Sequence, residues 1–284
     1  MTDTPAKPIL LTGASGALGR VLVRTLGALG WRLVLTDIAP FPDALPEGAV
    51  FTKADLSDGV AMLRLAEGCG TIIHLGGVSV ERPFEEVIGP NIRGLYHIYE
   101  AARREKARVI FASSNHSVGF YERTANVPVE TQFMPDGYYG LSKAYGELMG
   151  RMYWFKHGVE SVNVRIGSAF PEPINARMLA TWLSYPDFSR LMERCVLTPA
   201  VGHAVIWGTS KNSRMTWWRD DARQALGWAP VDSADPFAGQ LAGKVSGDPV
   251  EERYMGGAYC SIDYTRTEPA PADLFEGGAV RGRQ

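Results

Sequence analysis

The chain has 284 residues, of which 45% are hydrophobic, and it carries a formal net charge of −2 at pH 7. This length and composition are typical of one globular unit, or of two lobes that share an interface, with a sizeable buried core. The nearly neutral charge excludes the strongly basic surface that binds nucleic acid or anionic membranes, so we expect neither as a partner.

The sequence has no recognisable targeting or membrane signal. Residues 1–8 are polar and lack the basic region and apolar stretch of a signal peptide, and no apolar run is long enough to span a bilayer. Cys69, Cys195 and Cys260 are isolated, which is typical of reduced thiols. We therefore expect a cytoplasmic protein. The five histidines show no metal-ligand spacing, so no metal is expected.

The first predicted elements are a strand, a glycine-rich turn and a helix. Pro8 to Thr12 is a short apolar strand, and Arg20 to Leu29 has apolar residues at helical spacing. A turn of this kind lets the backbone approach a pyrophosphate, which then lies at the helix N-terminus. It predicts a dinucleotide site, and the alternative is an ordinary glycine-rich turn. The residues of the turn expected to bind the cofactor are Gly13, Ser15, Gly16, Ala17, Leu18 and Gly19.

Acidic residues follow the next two predicted strands. A carboxylate at Asp37, where the second strand ends, would accept both ribose hydroxyls of NAD and repel the 2′-phosphate of NADP. Alternatively, Asp37 caps a turn. Val50 to Leu56 is predicted as a third strand, and we expect Asp55 and Leu56 at its end to contact the adenine. Asp55 could instead cap a helix that begins near Asp58.

The fourth predicted strand begins at Thr71 and ends in glycines. Leu75, Gly76 and Gly77 would let the cofactor cross the strand end, and Ser79 follows at the mouth of the site. Pro90-Asn91 then begins a predicted helix, and we expect Asn91 among the cofactor-binding residues.

The stretch from Val109 to Lys143 contains the candidate catalytic groups. Lys143 follows Tyr139 by four residues on a predicted helix, so the two side chains share one face. A tyrosine titrates near ~10, and a neighbouring ammonium favours the phenolate and lowers that pKa. Ser114, at the end of the preceding strand, could hold a substrate hydroxyl beside the phenolic oxygen. Together they predict proton transfer to or from an alcohol or carbonyl, although Tyr-x-x-x-Lys alone is common by chance on surface helices.

Strands and helices alternate up to a further strand, Val162 to Ser168. This alternation predicts an α/β fold with a Rossmann-type doubly wound parallel sheet. Prolines and short segments follow and indicate a small C-terminal substrate-binding lobe, with a helix from Asp187 to Leu197. We therefore expect an NAD-binding Rossmann domain at residues 1–165, a substrate-binding lobe at 166–265 and an irregular tail at 266–284.

The combined motifs resemble the extended short-chain dehydrogenase/reductases. The motifs that carry this resemblance are the glycine turn at 13–19, Asp37, Asp55, Ser113-Ser114, Tyr139-x-x-x-Lys143 and Leu226-Gly227-Trp228-x-Pro230. Within that group, four segments are similar to the uronate dehydrogenases, namely 74–84, 112–116, 164–168 and 171–179. The resemblance implies that NAD oxidises D-glucuronate or D-galacturonate at C1 and that an aldarolactone forms.

The resemblance also implies roles for individual residues. Tyr139 would be the base, Lys143 would tune it and hold the nicotinamide ribose, and Ser114 would orient the reacting hydroxyl. The residues implied to bind the other sugar hydroxyls are Ser79, Asn115, His116 and Ser168. The remaining implied contacts are Ser113 and Ile166 to the cofactor, Arg177 to the carboxylate, and Tyr259, where we expect a phenylalanine in this family.

Several alternatives stay open from the sequence. His116 could be a loop histidine bonded to the backbone, and Arg177 could be a surface arginine. The chain could be a nucleotide-sugar epimerase or dehydratase that retains its NAD, although little protein follows Ser168 to bind a nucleotide diphosphate. It could also be a non-enzymatic NAD sensor. A homo-oligomer is expected through the helices that contain Asn91 and Tyr139, because the second has more apolar surface than one core-facing stripe needs.

Overall fold

The computed structural model describes residues 4–267. Strands and helices alternate along most of it. The strands are β1 (Ile9–Thr12), β2 (Leu33–Asp37), β3 (Val50–Lys53), β4 (Thr71–His74), β5 (Arg108–Ser114), β6 (Val127–Pro128), β7 (Ser161–Ile166), β8 (Ser168–Ala169), β9 (Trp182–Leu183), β10 (His203–Gly208) and β11 (Trp218–Arg219).

The helices range from single turns to a helix of 20 residues. The α-helices are α1 (Ala17–Ala28), α2 (Gly59–Leu65), α3 (Phe84–Val87), α4 (Gly94–Glu105), α5 (Tyr138–His157), α6 (Met178–Thr181), α7 (Tyr185–Leu197), α8 (Ala238–Leu241), α9 (Pro249–Arg253) and α10 (Ala258–Ser261). A π-helical segment, Ile88–Arg93, joins α3 to α4, and 3₁₀ turns lie at Asn115–Val118 and Asp235–Phe237.

Seven strands form one parallel sheet in the order β10-β7-β5-β4-β1-β2-β3. Alternate residues of β1 point to opposite faces, as the pleat of a strand requires. Ile9 and Leu11 enter a core with Leu22 of α1, whereas Leu10 enters the opposite core with Leu95 of α4. Both faces are therefore covered, and the predicted Rossmann-type doubly wound sheet is confirmed.

The strand order reverses between β1 and β4. In open parallel sheets, ligands bind at the carboxyl ends of the strands beside such a reversal. Thr12 and His74 end these two strands, and Thr12 Oγ1 lies 2.7 Å from His74 Nδ1. Burial lowers the pKa of His74 to about 3, with Lys143 as a second cause, so this histidine is neutral at the reversal point.

Several predicted element bounds were wrong. The fourth strand ends at His74, before the glycines, and the helix predicted from Asp187 begins at Tyr185. The third strand ends at Lys53, because Asp55 turns the chain by accepting hydrogen bonds from the Ser57 amide and hydroxyl. The helix predicted to begin at Pro90 instead begins at Phe84. Pro90 lies within the π-helical segment, where an altered hydrogen-bond register accommodates its missing N–H.

The sheet also continues past the expected domain boundary at residue 165. Strand β10 pairs in parallel with β7, and α7 packs beside α1 on one face of the sheet. The chain therefore leaves the sheet at Ser168, returns to it for α7 and β10, and leaves it again. Two small strand pairs, β6–β11 and β8–β9, lie outside the main sheet. Most of the expected tail, residues 268–284, lies outside the described range.

Candidate active site

A cavity of about 1080 Å³ opens at the carboxyl ends of the central strands. It extends from the glycine turn after β1 to the segment that precedes α10. The residues expected from the sequence to bind cofactor or substrate all line it, with the exception of Asn91 and Asn115. One continuous cavity therefore joins the expected dinucleotide and sugar sites.

Glycine is present at the three positions of the first turn for different structural reasons. A Cβ at Gly13 would lie 2.7 Å from Gly76 N, and one at Gly19 would lie 2.1 Å from Gly13 O, so close backbone packing requires both. A Cβ at Gly16 would meet only Gly13 O, at an ordinary 3.4 Å. Protein packing leaves space at Gly16, which lines the cavity and precedes a helix without a side-chain cap. The open space and free amides fit a pyrophosphate.

Asp37 is fixed at the end of β2. One carboxylate oxygen accepts the Ser15 amide at 3.0 Å and the other accepts the Ala39 amide at 3.0 Å. Asp37 therefore both caps the turn and lines the cavity. Helix α2 is capped by Asp58, which accepts the amides of Val60 and Ala61, so Asp55 does not cap it.

Asn91 lies behind the cavity wall and supports it. Its side-chain oxygen accepts the Val78 amide at 2.7 Å, and its nitrogen donates to Val78 O and to Ser142 Oγ. These bonds fix the loop that carries Ser79. The Ser113 hydroxyl likewise points away from the cavity, because it donates to Glu147 at 2.6 Å. The side chains of Asn91 and Ser113 thus hold in place the segments of the chain that form the cavity wall.

Tyr139, Lys143 and Ser114 meet at the centre of the cavity. Lys143 Nζ lies 5.2 Å from the centre of the Tyr139 ring, and burial lowers its pKa to about 8. Burial also raises the pKa of Tyr139, and a hydrogen bond with the Ser114 side chain opposes that rise. The expectation of a lowered tyrosine pKa is therefore wrong for the protein alone, because loss of hydration raises the pKa of Tyr139, Tyr259 and Asp136 add to the rise, and only the Ser114 hydrogen bond opposes it.

His116 packs between two aromatic rings. It stacks on Tyr259 with ring centres 4.0 Å apart, and it meets the edge of Tyr139 at 5.7 Å. Its Nδ1 lies 2.6 Å from Asp136 Oδ2, a carboxylate that is fully buried. The alternative of a loop histidine bonded through its ring to the backbone is therefore wrong.

Arg177 connects the main chain at Met255 with the end of the cavity where the sugar is expected to bind. Its Nε donates to Met255 O at 2.9 Å, and Nη1 donates to Ser168 Oγ at 3.2 Å. When its side-chain amide is oriented to satisfy both neighbours, Asn115 donates to Ile166 O and accepts from Arg177 Nη2 at 2.9 Å. Burial lowers the pKa of Arg177 to about 10. It is therefore not a free surface arginine, and part of its hydrogen-bonding capacity already serves the protein.

The cavity has two cations that the sequence did not indicate. Arg123 lines it and pairs with Glu252 at 2.7 Å, and exposed Lys244 lies at its rim. Arg123 also donates to Tyr254 O at 3.2 Å. These residues come from segments without a recognisable motif, and only tertiary pairing brings them to the site. No cluster of three or more His, Cys, Asp or Glu side chains within residues 4–267 could hold a metal ion.

Glu81 caps the helix that carries Tyr139. Its two carboxylate oxygens accept the amides of Tyr138 at 2.8 Å and Tyr139 at 2.9 Å, and the N-cap residue Gly137 has no side chain to do so. The space is built for this contact, because a Cβ at Gly137 would lie 2.3 Å from Glu81 Oε2. The loop that carries Ser79 is thereby tied to the catalytic helix.

We expect Glu81→Ala to destabilise the protein by about 1 kcal/mol, because the two amides lose their acceptor. A loss of that size corresponds to roughly 2–4 °C in Tm. Turnover should also fall, since the first turn of α5 holds Tyr139. Thermal unfolding and kcat of the same preparation test both effects.

The matched control is Glu130→Ala, which removes a carboxylate from an exposed pair with Arg151. Such a pair contributes little, so Tm and kcat should stay at their wild-type values. If Glu81→Ala behaved like Glu130→Ala in both measurements, the capping role would be wrong.

Comparison with known proteins agrees with this architecture. Residues 9–217 match the model of the NAD dependent epimerase/dehydratase family. The uronate dehydrogenase of Pseudomonas syringae pv. tomato is 48% identical over 262 residues, which cover 91% of this chain and 94% of that protein. The enzyme of the same name from Pseudomonas putida is 46% identical over 263 residues, 91% of this chain and 97% of its own length.

A solved structure shows the same overall fold. The crystal structure of a tyrosine-to-alanine variant of uronate dehydrogenase from Agrobacterium tumefaciens, complexed with NAD, superposes with a TM-score of 0.85 at 41% identity and covers 91% of this chain and 97% of that one. The chain thus belongs to the NAD dependent epimerase/dehydratase family, and within that family it is similar to the uronate dehydrogenases.

Proposed function

We propose that this protein oxidises a hexuronic acid, D-galacturonate or D-glucuronate, at C1 to the aldarolactone, with NAD as the oxidant. The observation that carries the proposal is a single cavity in which a glycine turn, the Tyr139–Lys143–Ser114 group and a half-buried arginine, Arg177, meet. Relatives named uronate dehydrogenase, 43–48% identical over most of the chain, support the same function.

Each residue of the site has a separate role in the proposed reaction. Ser114 orients the C1 hydroxyl, and Tyr139 removes its proton. Lys143 would stabilise the phenolate as it forms, because its Nζ lies 5.2 Å from the centre of the Tyr139 ring and a nearby positive charge favours the ionised phenol. NAD held in the cavity would supply the hydride acceptor for the hydrogen on C1. The bond between C1 and its hydroxyl oxygen would then become the carbonyl of the lactone, and the ring oxygen would become its ester oxygen.

The sugar end of the cavity suits a pyranose with one carboxylate. Ser79 and His116 offer hydrogen-bonding groups to the sugar hydroxyls, and Ser168 is held there by Arg177. We propose that the Nη1 edge of Arg177 binds the C6 carboxylate. Tyr259 covers His116 from the lobe side and closes the pocket.

The assay that tests this function supplies NAD with galacturonate, glucuronate, galactose and a uridine-diphosphate sugar in separate reactions. We expect NADH absorbance with the two uronates and little with galactose. A nucleotide-sugar epimerase or an NAD sensor would give no net NADH with any of them, and that result would contradict the proposal.

Cofactor preference is proposed to rest on Asp37. Asp37→Ser removes a charge that binds the ribose hydroxyls and repels a 2′-phosphate. The ratio of kcat/KM for NAD over NADP should fall at least tenfold, which corresponds to about 1.4 kcal/mol. A matched control is Asp43→Ser, which removes a half-buried carboxylate paired with Arg20 of α1 and should leave the ratio unchanged. A wild-type enzyme that prefers NADP over NAD would contradict this role of Asp37.

We propose that the protein forms a homo-oligomer through the outer faces of α4 and α5. Helix α5 exposes an apolar stripe on this side, with Leu148 53% and Phe155 81% exposed, and Tyr96 of α4 is 46% exposed. Soluble monomers seldom expose contiguous apolar patches of this kind.

Replacing both Leu148 and Phe155 with Glu should convert the oligomer to monomer, because each interface would bury unpaired carboxylates. Sedimentation velocity measures the mass. Val231→Glu, at an apolar residue 68% exposed elsewhere, is the control and should leave the mass unchanged. A monomeric wild-type protein, or an oligomer that survives both substitutions, would contradict this interface.

A cytoplasmic location is also part of the proposal. Cys69, Cys195 and Cys260 are unpaired and buried, which suits a reducing compartment. Within the described range, no helix combines the length and apolarity needed to cross a membrane.

A further inference from the structure

Asp136 is a buried carboxylate around which three segments of the chain close. A Cβ at Gly119 or at Gly256 would lie 1.9 Å from its Oδ2, and one at Gly140 would lie 2.9 Å from its Oδ1. These glycines come from the chain after the Asn115–Val118 turn, from α5 and from the C-terminal lobe. The carboxylate thus fills a space that side chains at any of these positions would occupy.

The principal hydrogen-bonding partner of this carboxylate is His116. Asp136 Oδ2 lies 2.6 Å from His116 Nδ1, and the weak Cys260 thiol donor lies 3.9 Å away. Oδ1 has no hydrogen-bond partner among residues 4–267. Burying a carboxylate that accepts so few hydrogen bonds is energetically unfavourable unless its one close partner donates a hydrogen bond to it. The geometry thus favours a proton on Nδ1.

The His116 ring has little freedom to turn. It lies flat against Tyr259 and against the edge of Tyr139, and its backbone amide donates to Ser114 Oγ at 3.2 Å. Nε2, on the other side of the ring from Nδ1, has no hydrogen bond to any described residue, and His116 lines the cavity. A lone pair on Nε2 is therefore available beside the tyrosine and serine of the catalytic group.

We propose that Asp136 is a positioning residue that holds the His116 proton on Nδ1 and so presents Nε2 to the cavity as a hydrogen-bond acceptor. The acceptor binds a hydroxyl of the sugar, and this part rests on the proposed function. The position of the proton does not rest on it. Asp136 acts only through His116 and does not touch the substrate.

The direct test is the imidazole spectrum of the protein with NAD bound. Two-bond ¹H–¹⁵N correlations of uniformly ¹⁵N-labelled enzyme at pH 8 distinguish a protonated from an unprotonated ring nitrogen, and His116→Gln identifies the signals of this residue. We expect Nδ1 protonated and Nε2 bare. A proton on Nε2, in a neutral or a doubly protonated ring, would overturn the proposal.

Kinetics test the consequence for the sugar. Asp136→Asn should raise KM for galacturonate about tenfold, with a smaller change in kcat, because the amide can no longer fix the histidine proton. In a His116→Gln background the same substitution should change KM no further, since coupled residues are not additive. Equal effects in both backgrounds would mean that Asp136 does not act through His116.

Asp187→Asn is the matched control for burying an amide in place of a carboxylate. Asp187 is also fully buried, and it accepts the Ser210 hydroxyl and the Val231 and Asp232 amides away from the cavity. The Asp187→Asn substitution should lower Tm and leave KM for galacturonate unchanged. If Asp136→Asn lowered Tm in the same way without changing KM, its role would be structural only. Failure of the wild-type enzyme to oxidise uronates would refute the proposed function, and the spectrum would still decide the proton position.

Discussion

Tyr139→Phe is expected to bind NAD as the wild-type protein does and to lose turnover by a factor of about 10² to 10⁴, the usual contribution of general acid–base catalysis. Only the phenolic oxygen is removed. The ring remains to pack against His116 and Tyr259, so the fold and the cavity should be kept. Burial of the phenol makes the loss large, since few other groups in the cavity can accept the C1 proton at that point.

Steady-state kcat with galacturonate and NAD binding by fluorescence titration measure the two parts of this expectation. Tyr145→Phe, a partly buried tyrosine on the same helix, is the matched control and should retain wild-type kcat. A Tyr139→Phe enzyme with more than about a tenth of wild-type kcat would show that another group is the base.

Arg177→Ala should lose about 30- to 10³-fold in kcat/KM for uronates, which corresponds to about 2 to 4 kcal/mol for a buried charged contact. The structure refines the reason. Nε and Nη2 donate to Met255 O and Asn115, and Nη1 donates to Ser168 Oγ. We therefore expect the substrate to meet only the Nη1 edge and not a free planar fork. Arg177→Lys should rescue only partly, because an ammonium cannot keep these fixed contacts as well.

Galactose separates recognition from support of the loop. It lacks the carboxylate, so its slow oxidation should change far less than that of galacturonate in Arg177→Ala. Arg123→Ala is the comparison, because Arg123 is the other arginine of the sugar end and is paired with Glu252. It should affect both sugars alike. Equal losses on the two sugars in Arg177→Ala, or a uronate-selective loss in Arg123→Ala, would move the carboxylate site away from Arg177.

The parts of the site predicted from the sequence are those whose geometry is local. The helical spacing of Tyr139 and Lys143 places both on one face, and the glycine turn follows directly from β1 into α1. The strand-end position of Ser114 also follows from local pattern, because parallel strands end at one edge of the sheet. The fold follows for a related reason, since alternating apolar strands and helices leave few topologies open.

The parts that the sequence could not predict depend on contacts between distant segments. Glu81 meets the amide of Tyr139, 58 residues away, and Arg177 meets Met255 O, 78 residues away. Asp136 has no local feature that marks it as the partner of His116. No periodicity or spacing encodes these pairings, because they arise only when the loops and the lobe close on the sheet.

The Tyr139-x-x-x-Lys143 motif also does not indicate the chemical environment of its two side chains. The spacing of Tyr139 and Lys143 correctly placed an ammonium near the phenol, but it did not indicate how completely both groups are buried. Burial acts on the two in opposite directions, raising the pKa of Tyr139 and lowering that of Lys143 to about 8. We therefore expect the phenolate of Tyr139 to be favoured by what binds in the cavity.

We expect a hydride to leave C1 of a uronic acid for NAD while Tyr139 removes the hydroxyl proton. Galacturonate carrying deuterium at C1 tests it directly, with mass spectrometry of the reduced cofactor and NMR of the first product. We predict one deuterium in each reduced cofactor molecule and the aldarolactone as the first product. Unlabelled NADH, or a sugar product that keeps the deuterium, would contradict oxidation at C1.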